Sequence, residues 1–272
     1  MTDLTTQRIR IPSREEIPEL ARAYRSATPW PHLRLDGIIP PELTAAAYEQ
    51  EMAHAPNVPK FAFRSVSKSE TATGLGPAAR EVLRQLDSPE FVAFLQQLTG
   101  IADLEPDPTH AYGGLHANGP GNYHRLHRDF TLHPVDGRWH RANLLVYLNP
   151  VWPQEYGGSL ELWARGGHTI GARITPVAPT VVFFETTPQA IHGLPDPVRC
   201  PPGGYRLSIA AQYYSASWPP PPRLCPIFHG PRRPQDAWTT ALNGPDEIIF
   251  QLKTRMKIAE LRFRALQRRF MS

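Results

Sequence analysis

The first hundred residues have the apolar spacing of amphipathic helices. In SREEIPELARAY, Ser13 and Glu16 have the spacing of a capping box, and Ile17, Leu20 and Tyr24 follow along one helical face. The alternating run HLRLDGIIP then predicts a strand. Three further helices are predicted from their starting residues and apolar spacing, over residues 42–55, 77–86 and 88–100.

The pattern changes beyond residue 110, where short β-rich runs alternate with Gly, Pro and Asp. These runs, which continue to residue 215, are HAYGGLHA, NYHRLHRD, RANLLVYLN, GGSLELWA, GHTIGAR, PTVVFFE and GYRLSIAAQYYS. Short strands with turn residues between them are typical of an antiparallel sandwich or barrel. The consecutive prolines of SWPPPPRLCP cannot continue a sheet, so the β region is predicted to end there.

The last segment, residues 246–270, has apolar residues at three- and four-residue spacing. Ile249, Leu252, Met256 and Phe263 belong to this series. The pattern predicts a helix that packs either on its own barrel or against a second copy of the chain in a homodimer. The basic residues of this helix are predicted to form a solvated face.

Length and composition favour one folded domain. A β sandwich or barrel of 272 residues can form a single core, and 41% hydrophobic with 20% charged residues excludes a disordered chain. We expect a mainly β protein with flanking helices, of the α+β class, as a single domain over residues 1–272. Its parts are predicted to be N-terminal helices with a first strand, a β core, and a proline-rich exit with a C-terminal helix, over residues 1–100, 101–218 and 219–272.

Charge, cysteine content and hydropathy limit the partners and the location. A net charge of +4 is mild, so no nucleic-acid partner is expected. Two cysteines are too few for a disulfide framework, which fits a reducing compartment. The polar N-terminus and the lack of a long apolar run predict neither a signal peptide nor a membrane span. We therefore expect a cytoplasmic protein.

Residue types suited to metal binding stand in YHRLHRDF. On a strand, His127 and Asp129 point to the same face because they are two residues apart. His192 follows the apolar strand TVVFFE, where a loop is predicted to begin, and supplies a third ligand. Two histidines and one carboxylate suit non-haem Fe(II) with positions left open for O2, although zinc accepts the same ligands.

A charged residue stands inside the apolar strand GGYRLSIAAQYY. Arg206 and Ser208 share one face of this strand. A buried guanidinium needs an anionic partner, and together with a hydroxyl it suits a carboxylate ligand. A structural salt bridge is the alternative explanation for Arg206.

These elements occur in an order that resembles a known family, the prolyl-4-hydroxylase-like branch of the Fe(II)/2-oxoglutarate-dependent dioxygenases. The resemblance covers residues 32–215 and rests on HRD, RANLLVYLN, GGSLELW, PTVVFFE, His192 and YRLS, in that order. It implies a double-stranded β-helix core, the jelly-roll fold that cupins also have. It also implies Fe(II), 2-oxoglutarate as cosubstrate, and O2.

The resemblance further implies roles for individual residues. The implied metal ligands are His127, Asp129 and His192. The implied 2-oxoglutarate contacts are Arg206, Ser208, Tyr147, Leu160 and Asn143. Substrate contacts are expected from His116, His124 and Trp139, with His124 on the strand face opposite to His127. The chain departs from the family in the long insert PDPVRCPPGG, which precedes Arg206.

The implied activity is hydroxylation, or another oxidation, of an unactivated C–H bond. Asp129 favours hydroxylation, because halogenating relatives have Gly or Ala at this position. A small amino-acid-like or biosynthetic metabolite is the preferred substrate, since the chain is too short for the second barrel of the relatives that hydroxylate ribosomal-protein proline. Hydroxylation of a prolyl or other residue in a protein is the alternative. A non-catalytic jelly-roll binding protein is the alternative of a different class.

Overall fold

Helices precede the β region along the chain. The computed structural model describes residues 6–63, 66–110, 112–133, 136–164, 168–216, 227–228, 252 and 256. The α-helices within these residues are α1 Ile17–Ser26, α2 Pro41–His54, α3 Pro77–Leu86 and α4 Pro89–Thr99. The strands are β1 His32–Asp36, β2 Lys60–Phe63, β3 Val66–Thr71, β4 Glu105–Pro106, β5 Gly114–Asn118, β6 Tyr123–Arg128, β7 Trp139–Tyr147, β8 Leu160–Trp163, β9 Ile170–Ile174, β10 Thr180–Glu185, β11 Ile191–Leu194, β12 Arg206–Ser215 and β13 Ile227–Phe228.

Side-chain and glycine caps set the ends of α1 and α4. The backbone N–H of Ser13 donates to the Glu16 carboxylate at 2.7 Å, and the backbone N–H of Glu16 donates to the Ser13 hydroxyl at 3.3 Å. At the start of α4, the Ser88 hydroxyl accepts from the backbone N–H of Phe91. Gly100 ends that helix in the left-handed conformation, with a φ of 78°. Gly100 confirms the predicted end of the fourth helix. The Ser13–Glu16 capping box forms as predicted, but α1 begins only at Ile17, with Glu16 at the N-cap position.

The main strands form two antiparallel sheets that β3 joins. One has the order β1-β10-β7-β12-β5-β3 and the other the order β3-β6-β11-β8-β9. The sheets face each other, since Asn143 of β7 is hydrogen-bonded to Asp129 at the end of β6. This arrangement is the double-stranded β-helix that the family resemblance implies, with the helices packed outside it.

The two faces of the larger sheet have different neighbours. Its outer face packs against the helices in one apolar core, where Phe183 and Tyr213 of the strands lie with Leu43 and Phe94 of the helices. Burial of each such aromatic or leucine side chain contributes about 1.5–3 kcal/mol. Its inner face meets the second sheet across a smaller cluster formed by Trp30, Tyr147, Leu160, Leu162, Ile174, Val182, Phe184 and Ala190. Polar side chains of β7 and β12 also lie on this inner face, where a site can form.

Four strands of the described residues, β2, β3, β4 and β13, were not predicted, and one strand boundary differs from the prediction. β2 and β3 lie in a segment where the sequence predicts no strand, although β3 joins the two sheets. His192 was expected at the start of a loop, but it lies within β11, paired with β6 on one side and β8 on the other. β2 has only four residues, and β3, VSKSET, has a single apolar residue, so periodicity does not reveal either strand.

Most of the segment 219–272 lies outside the described residues. Of the predicted helix 246–270 only Leu252 and Met256 are described, so the helix and its proposed dimer contact stay predictions. Among the helices of the described residues the longest has 14 residues, and none is long and apolar enough to cross a membrane.

Candidate metal centre

The three predicted metal ligands converge between the sheets. His127 on β6 pairs directly with His192 on β11, and Asp129 follows at the end of β6. Each residue offers one ligand atom, and these atoms all lie within 4.8 Å of one another. Nε2 of His127 is 3.2 Å from one carboxylate oxygen of Asp129, and Nε2 of His192 is 3.7 Å from the other. Two imidazoles and a carboxylate so placed could hold one divalent metal ion.

Backbone carbonyls determine which imidazole nitrogens face this cluster. Nδ1 of His127 lies 2.8 Å from the carbonyl oxygen of Arg125, and Nδ1 of His192 lies 3.1 Å from that of Ala190. A carbonyl oxygen can only accept a hydrogen bond, so Nδ1 carries the proton in both rings. The Nε2 atoms, which lie toward Asp129, are then the atoms that would coordinate a metal.

Burial and charge both act on these side chains. Burial lowers the pKa of His192 to about 4, although the Asp129 carboxylate acts in the opposite direction. Burial would raise the pKa of Asp129, but the neighbouring imidazoles of His192 and His127 outweigh it and hold this pKa well below its usual value. The cluster therefore combines a neutral imidazole with an ionised carboxylate, the protonation states that metal binding requires.

A β-bulge brings a further histidine to the same face. His192 pairs with His127 and Leu194 pairs with His124, so three steps along β6 match two along β11. The extra residue turns His124 to the face of His127, and their rings stack with centroids 3.9 Å apart. At Gly193 a Cβ atom would lie 2.8 Å from the carbonyl oxygen of His124, so the bulge needs glycine there. The expectation that His124 lies on the opposite face is therefore wrong, because it assumed a regular strand.

The predicted cosubstrate anchor is a buried arginine on the inner face of β12. Arg206 is 1% exposed, and its Nε donates to the carbonyl oxygen of Gly158 at 2.7 Å. Its Nη1 is 3.5 Å from the Ser208 hydroxyl, while Nη2 has no hydrogen-bond partner in the described part of the chain. No carboxylate of the described residues lies within 4.0 Å of the guanidinium. A structural salt bridge for Arg206 therefore has no partner among those residues.

Tyr147 faces this arginine from the neighbouring strand. It pairs with Ser208 across β7 and β12, is fully buried, and has its ring centroid 5.0 Å from the guanidinium carbon of Arg206. Its hydroxyl lacks a hydrogen-bond partner within the described ranges. Burial raises the pKa of Tyr147 and lowers that of Arg206, and the attraction between the two groups offsets part of each shift. Besides this mutual attraction, Nη2 of Arg206 and the Tyr147 hydroxyl have no hydrogen-bond partner that meets the distance and angle criteria in the described ranges, and a carboxylate could accept from both.

Of three other predicted residues, two lie near Arg206 and Tyr147 and one lies at the far end of β7. Leu160 packs with Tyr147 in the apolar cluster between the sheets. His116 of β5 pairs with Ser208 and so shares its face of the sheet. Trp139 is half-buried at the start of β7, at the end of that strand remote from Tyr147. Leu160 and His116 thus lie next to Tyr147 and Ser208, whereas the predicted substrate contact Trp139 lies at the other end of β7.

Asn143 contacts a predicted metal ligand instead of the anchor. Its amide N–H donates to the Asp129 carboxylate at 2.7 Å. The other end of the amide meets His140 and Gln212, and Gln212 in turn meets Tyr214, a network that the sequence analysis missed. Strict alternation along β12 places positions 212 and 214 on the inner face, so this signal was present in the sequence.

Two aromatic side chains pack against the cluster and were also missed. The rings of Phe184 and Trp30 lie 4.8 and 6.4 Å, centroid to centroid, from the ring of His192. The Trp30 indole N–H donates to the carbonyl oxygen of Trp163 at 3.0 Å, which fixes the orientation of its ring. These rings limit the movement of His192 and shield it from water.

Comparisons with known proteins find similar sequences among oxygenases. A profile of the 2OG-Fe(II) oxygenase superfamily matches residues 112–214. Mouse prolyl 3-hydroxylase OGFOD1 is 29% identical over 164 residues, which are 57% of this chain and 27% of that protein. The Xenopus laevis protein of the same name is 28% identical over 123 residues, which are 43% of this chain and 22% of that protein. The matches thus span about a quarter of the length of these relatives.

Solved structures show the same fold. A prolyl-4-hydroxylase from Pseudomonas putida has a TM-score of 0.55 at 19% identity, covering 74% of this chain and 100% of that one. A Trichoplax adhaerens prolyl hydroxylase, in complex with a hypoxia inducible factor peptide fragment, has a TM-score of 0.51 at 14% identity, covering 75% and 94%. The superfamily uses Fe(II), 2-oxoglutarate and O2. Residues 112–214 match the 2OG-Fe(II) oxygenase superfamily, and the fold is similar to that of the Pseudomonas putida prolyl-4-hydroxylase.

Proposed function

We propose that this protein is an Fe(II)/2-oxoglutarate-dependent hydroxylase whose substrate is a prolyl residue in a protein or peptide. Its metal ligands in this proposal are His127, Asp129 and His192. The observation that carries the proposal is the convergence of these ligand atoms within 4.8 Å, on an inner face that also holds the buried guanidinium of Arg206, whose Nη2 has no hydrogen-bond partner among the described residues. Along β7 the distance between the two regions, from Asn143 to Tyr147, is about 13 Å.

Each group of residues then has a distinct task. Bound Fe(II) supplies the O2-dependent oxidation of a C–H bond, during which 2-oxoglutarate is converted to succinate and CO2. Arg206 and Tyr147 hold the distal carboxylate of 2-oxoglutarate, because their unpartnered donors match its oxygens. Leu160 and Phe184, both buried in the apolar cluster, exclude water from the space between the sheets.

The substrate class is supported by the relatives rather than by the site. The curated relatives are named prolyl 3-hydroxylases, and the structures of similar fold are named prolyl hydroxylases. These names favour the prolyl alternative over the small metabolite that the sequence analysis preferred. The names differ in the position hydroxylated on the ring, so the test must identify the product isomer.

The test combines two substrate panels with one cosubstrate assay. The protein is supplied with Fe(II), 2-oxoglutarate and O2 together with either proline-centred peptides or free amino acids, and succinate and oxygenated product are measured by mass spectrometry. We expect succinate coupled to a hydroxyprolyl peptide. Coupling to a free amino acid alone would establish the small-metabolite function instead. If neither panel raises succinate formation above background, and 2-oxoglutarate does not bind, the protein is a non-catalytic binding protein.

Substitution of Asp129 tests the metal ligands directly. Asp129→Ala removes the only anionic ligand of the proposed set, so we expect loss of metal binding and of 2-oxoglutarate turnover. Asp136→Ala is the matched control, because that carboxylate is partly exposed and pairs with Arg138 rather than with the cluster. Full turnover in Asp129→Ala would remove the site assignment.

A further inference from the structure

A buried chain of hydrogen bonds ends on the Asp129 carboxylate, and Asn143 is the residue that contacts this carboxylate directly. We propose that Asn143 is a positioning residue, which holds one oxygen of Asp129 so that the other alone is presented to the metal, and that His140, Gln212 and Tyr214 hold Asn143 in turn. This inference rests on the proposed function, since it assigns these residues a task only if Asp129 is a metal ligand.

The orientation of the Asn143 amide follows from its neighbour. Nδ2 of Asn143 lies 2.7 Å from Oδ2 of Asp129, whose carboxylate can only accept hydrogen bonds. The NH2 group of the amide therefore faces Asp129, and its carbonyl oxygen faces away. Asn143 is 8% exposed, so water does not readily replace this contact.

The carbonyl end of the amide then fixes the next residues. Oδ1 of Asn143 can only accept, and it lies 3.1 Å from Nε2 of His140 and 3.3 Å from Nε2 of Gln212. Gln212 must therefore turn its NH2 group inward, and His140 donates from Nε2. Nδ1 of His140 lies 3.3 Å from the carbonyl oxygen of Phe130, so a neutral ring can donate to only one of these two acceptors, and the contact at Nε2 is the shorter one. The Gln212 oxygen accepts from the hydroxyl of Tyr214 at 2.7 Å. His140 and Tyr214 are fully buried.

Every donor in this network points toward Asp129. Successive hydrogen bonds of one direction polarise one another, so the Asn143 bond to the carboxylate is stronger than an isolated amide would give. Oδ2, which Asn143 engages, lies 3.7 Å from Nε2 of His192, whereas Oδ1 lies closer to an imidazole, 3.2 Å from Nε2 of His127, and in this proposal Oδ1 is the oxygen presented to the metal. Coordination through one oxygen leaves positions of a six-coordinate ion open, as oxygenases with two histidines and one carboxylate require.

The chain provides a matched control for the far end of the network. Tyr213 and Tyr214 are adjacent on β12, both are fully buried, and each donates one hydrogen bond from its hydroxyl. Tyr213 lies on the outer face, where it donates to the carbonyl oxygen of Leu86 at 3.0 Å. Tyr213→Phe and Tyr214→Phe therefore remove the same group from the same strand, and only the second touches the network.

The experiment measures metal affinity without turnover. Mn(II) is titrated into the metal-free full chain, and unbound Mn(II) is followed by electron paramagnetic resonance, for wild type, Asn143→Leu, Tyr214→Phe and Tyr213→Phe. We expect Asn143→Leu to raise the Kd for Mn(II) about 10- to 100-fold. Tyr214→Phe raises it roughly threefold, because the cooperative effect of one distant hydrogen bond is modest. Tyr213→Phe leaves it unchanged, although it lowers the melting temperature as much as Tyr214→Phe does.

A second readout follows the coordination itself. The visible absorption band of the Fe(II) complex with 2-oxoglutarate, recorded without O2, is expected to shift in Asn143→Leu and not in Tyr213→Phe. A folded Asn143→Leu variant with the wild-type Kd and the wild-type band would overturn the inference and leave the proposed function intact. If Asn143→Leu does not fold, Tyr214→Phe decides: a Kd equal to that of Tyr213→Phe overturns the inference, and a higher one supports it. A wild-type chain that binds no Mn(II) overturns the proposed function and this inference together.

Discussion

At the scale of single residues, Arg206 places a positive charge between the sheets where no described carboxylate lies within 4.0 Å. Burial lowers its pKa, which reflects the free energy lost when the guanidinium leaves water. The nearby Tyr147 ring and the Gly158 carbonyl oxygen recover part of this free energy. The side chain is thus arranged for a ligand that brings a negative charge.

Arg206→Met is expected to separate folding stability from cosubstrate binding. The thioether fills a similar volume without a charge, so we expect the ligand-free protein to become more stable, by about 1–3 kcal/mol. Affinity for 2-oxoglutarate should fall by roughly 100-fold or more, since the carboxylate loses its cationic partner. Thermal unfolding with and without 2-oxoglutarate, in the presence of Mn(II), measures both effects.

The control for this change is Arg199→Met. Arg199 is exposed in the neighbouring loop and its Nε donates to the carbonyl oxygen of Glu155. The Arg199→Met substitution should leave the stabilisation by 2-oxoglutarate unchanged and shift the unfolding temperature by no more than about a degree. A strongly destabilised Arg206→Met protein would instead favour the structural salt bridge.

At the scale of elements, the pairing of β6 with β11 brings two of the proposed ligands together. His127 and His192 are direct cross-strand partners, with ring centroids 4.5 Å apart. The backbone of β11 approaches β6 closely at Gly193, where a Cβ atom would lie 2.7 Å from the carbonyl oxygen of Arg125. The distance between the two histidines therefore depends on a residue that has no side chain.

Gly193→Ala is expected to weaken metal binding although it removes no ligand. The added methyl group pushes β11 away from β6 and moves His192 from His127, so we expect a Kd for Mn(II) about 10-fold higher or more. Gly203→Ala is the control, because Gly203 has a φ of 83° and no atom within 4 Å of an added Cβ. It should lower the melting temperature and leave the Kd unchanged. Equal Kd values for both variants would show that the close approach at Gly193 is not needed.

The two-residue alternation of strands and the chemistry of single residues predict part of the candidate site. The rest depends on a bulge and on a contact between sheets, which these patterns do not show. The common face of His127 and Asp129 and the face of Arg206 follow from two-residue spacing and from the rarity of an arginine in an apolar strand. His192 was chosen because it follows the apolar strand TVVFFE, and its own strand was not predicted. The position of His124 does not follow from spacing, because one extra residue in β6 reverses the face of everything before it. The contact of Asn143 with Asp129 depends on a side chain from another sheet, which spacing within one strand cannot give.

At the scale of the whole molecule, the helices and the site lie on opposite faces of the larger sheet. The outer face and helices α1 to α4 share the large apolar core, whereas the site lies on the inner face. Glu51 of α2 is a fully buried carboxylate in the helical layer, and it accepts from the backbone N–H of Gly76 at 2.6 Å. Its other oxygen has no hydrogen-bond partner among the described residues.

Glu51→Gln is expected to change how stability depends on pH. Burial raises the pKa of Glu51 above its ordinary 4.5, and the Gly76 N–H, His54 and Arg80 offset only part of this. Because the folded pKa is the higher one, the contribution of Glu51 is fully present below about pH 4.5 and is lost as pH rises through the folded pKa. Glu51→Gln should therefore gain stability relative to wild type at pH 7, on the order of 1 kcal/mol, and lose this advantage near pH 4.

The measurement is denaturant unfolding at several pH values. Glu49→Gln removes the same charge from an exposed position of the same helix, so it should not reproduce the pH-dependent difference. A pH-independent difference between wild type and Glu51→Gln would mean that the folded and unfolded pKa values of this carboxylate are the same.

The bulge in β6 has a consequence for insertions and deletions in this gene segment. Loss of one codon at Leu126 would turn three steps along β6 into two, and His124 and His127 would still pair in register with Leu194 and His192. Loss of the codon for Arg128 would leave an odd spacing between His127 and its carboxylate and turn that carboxylate to the other face. Natural length variation in this strand should therefore accumulate before His127 and not after it.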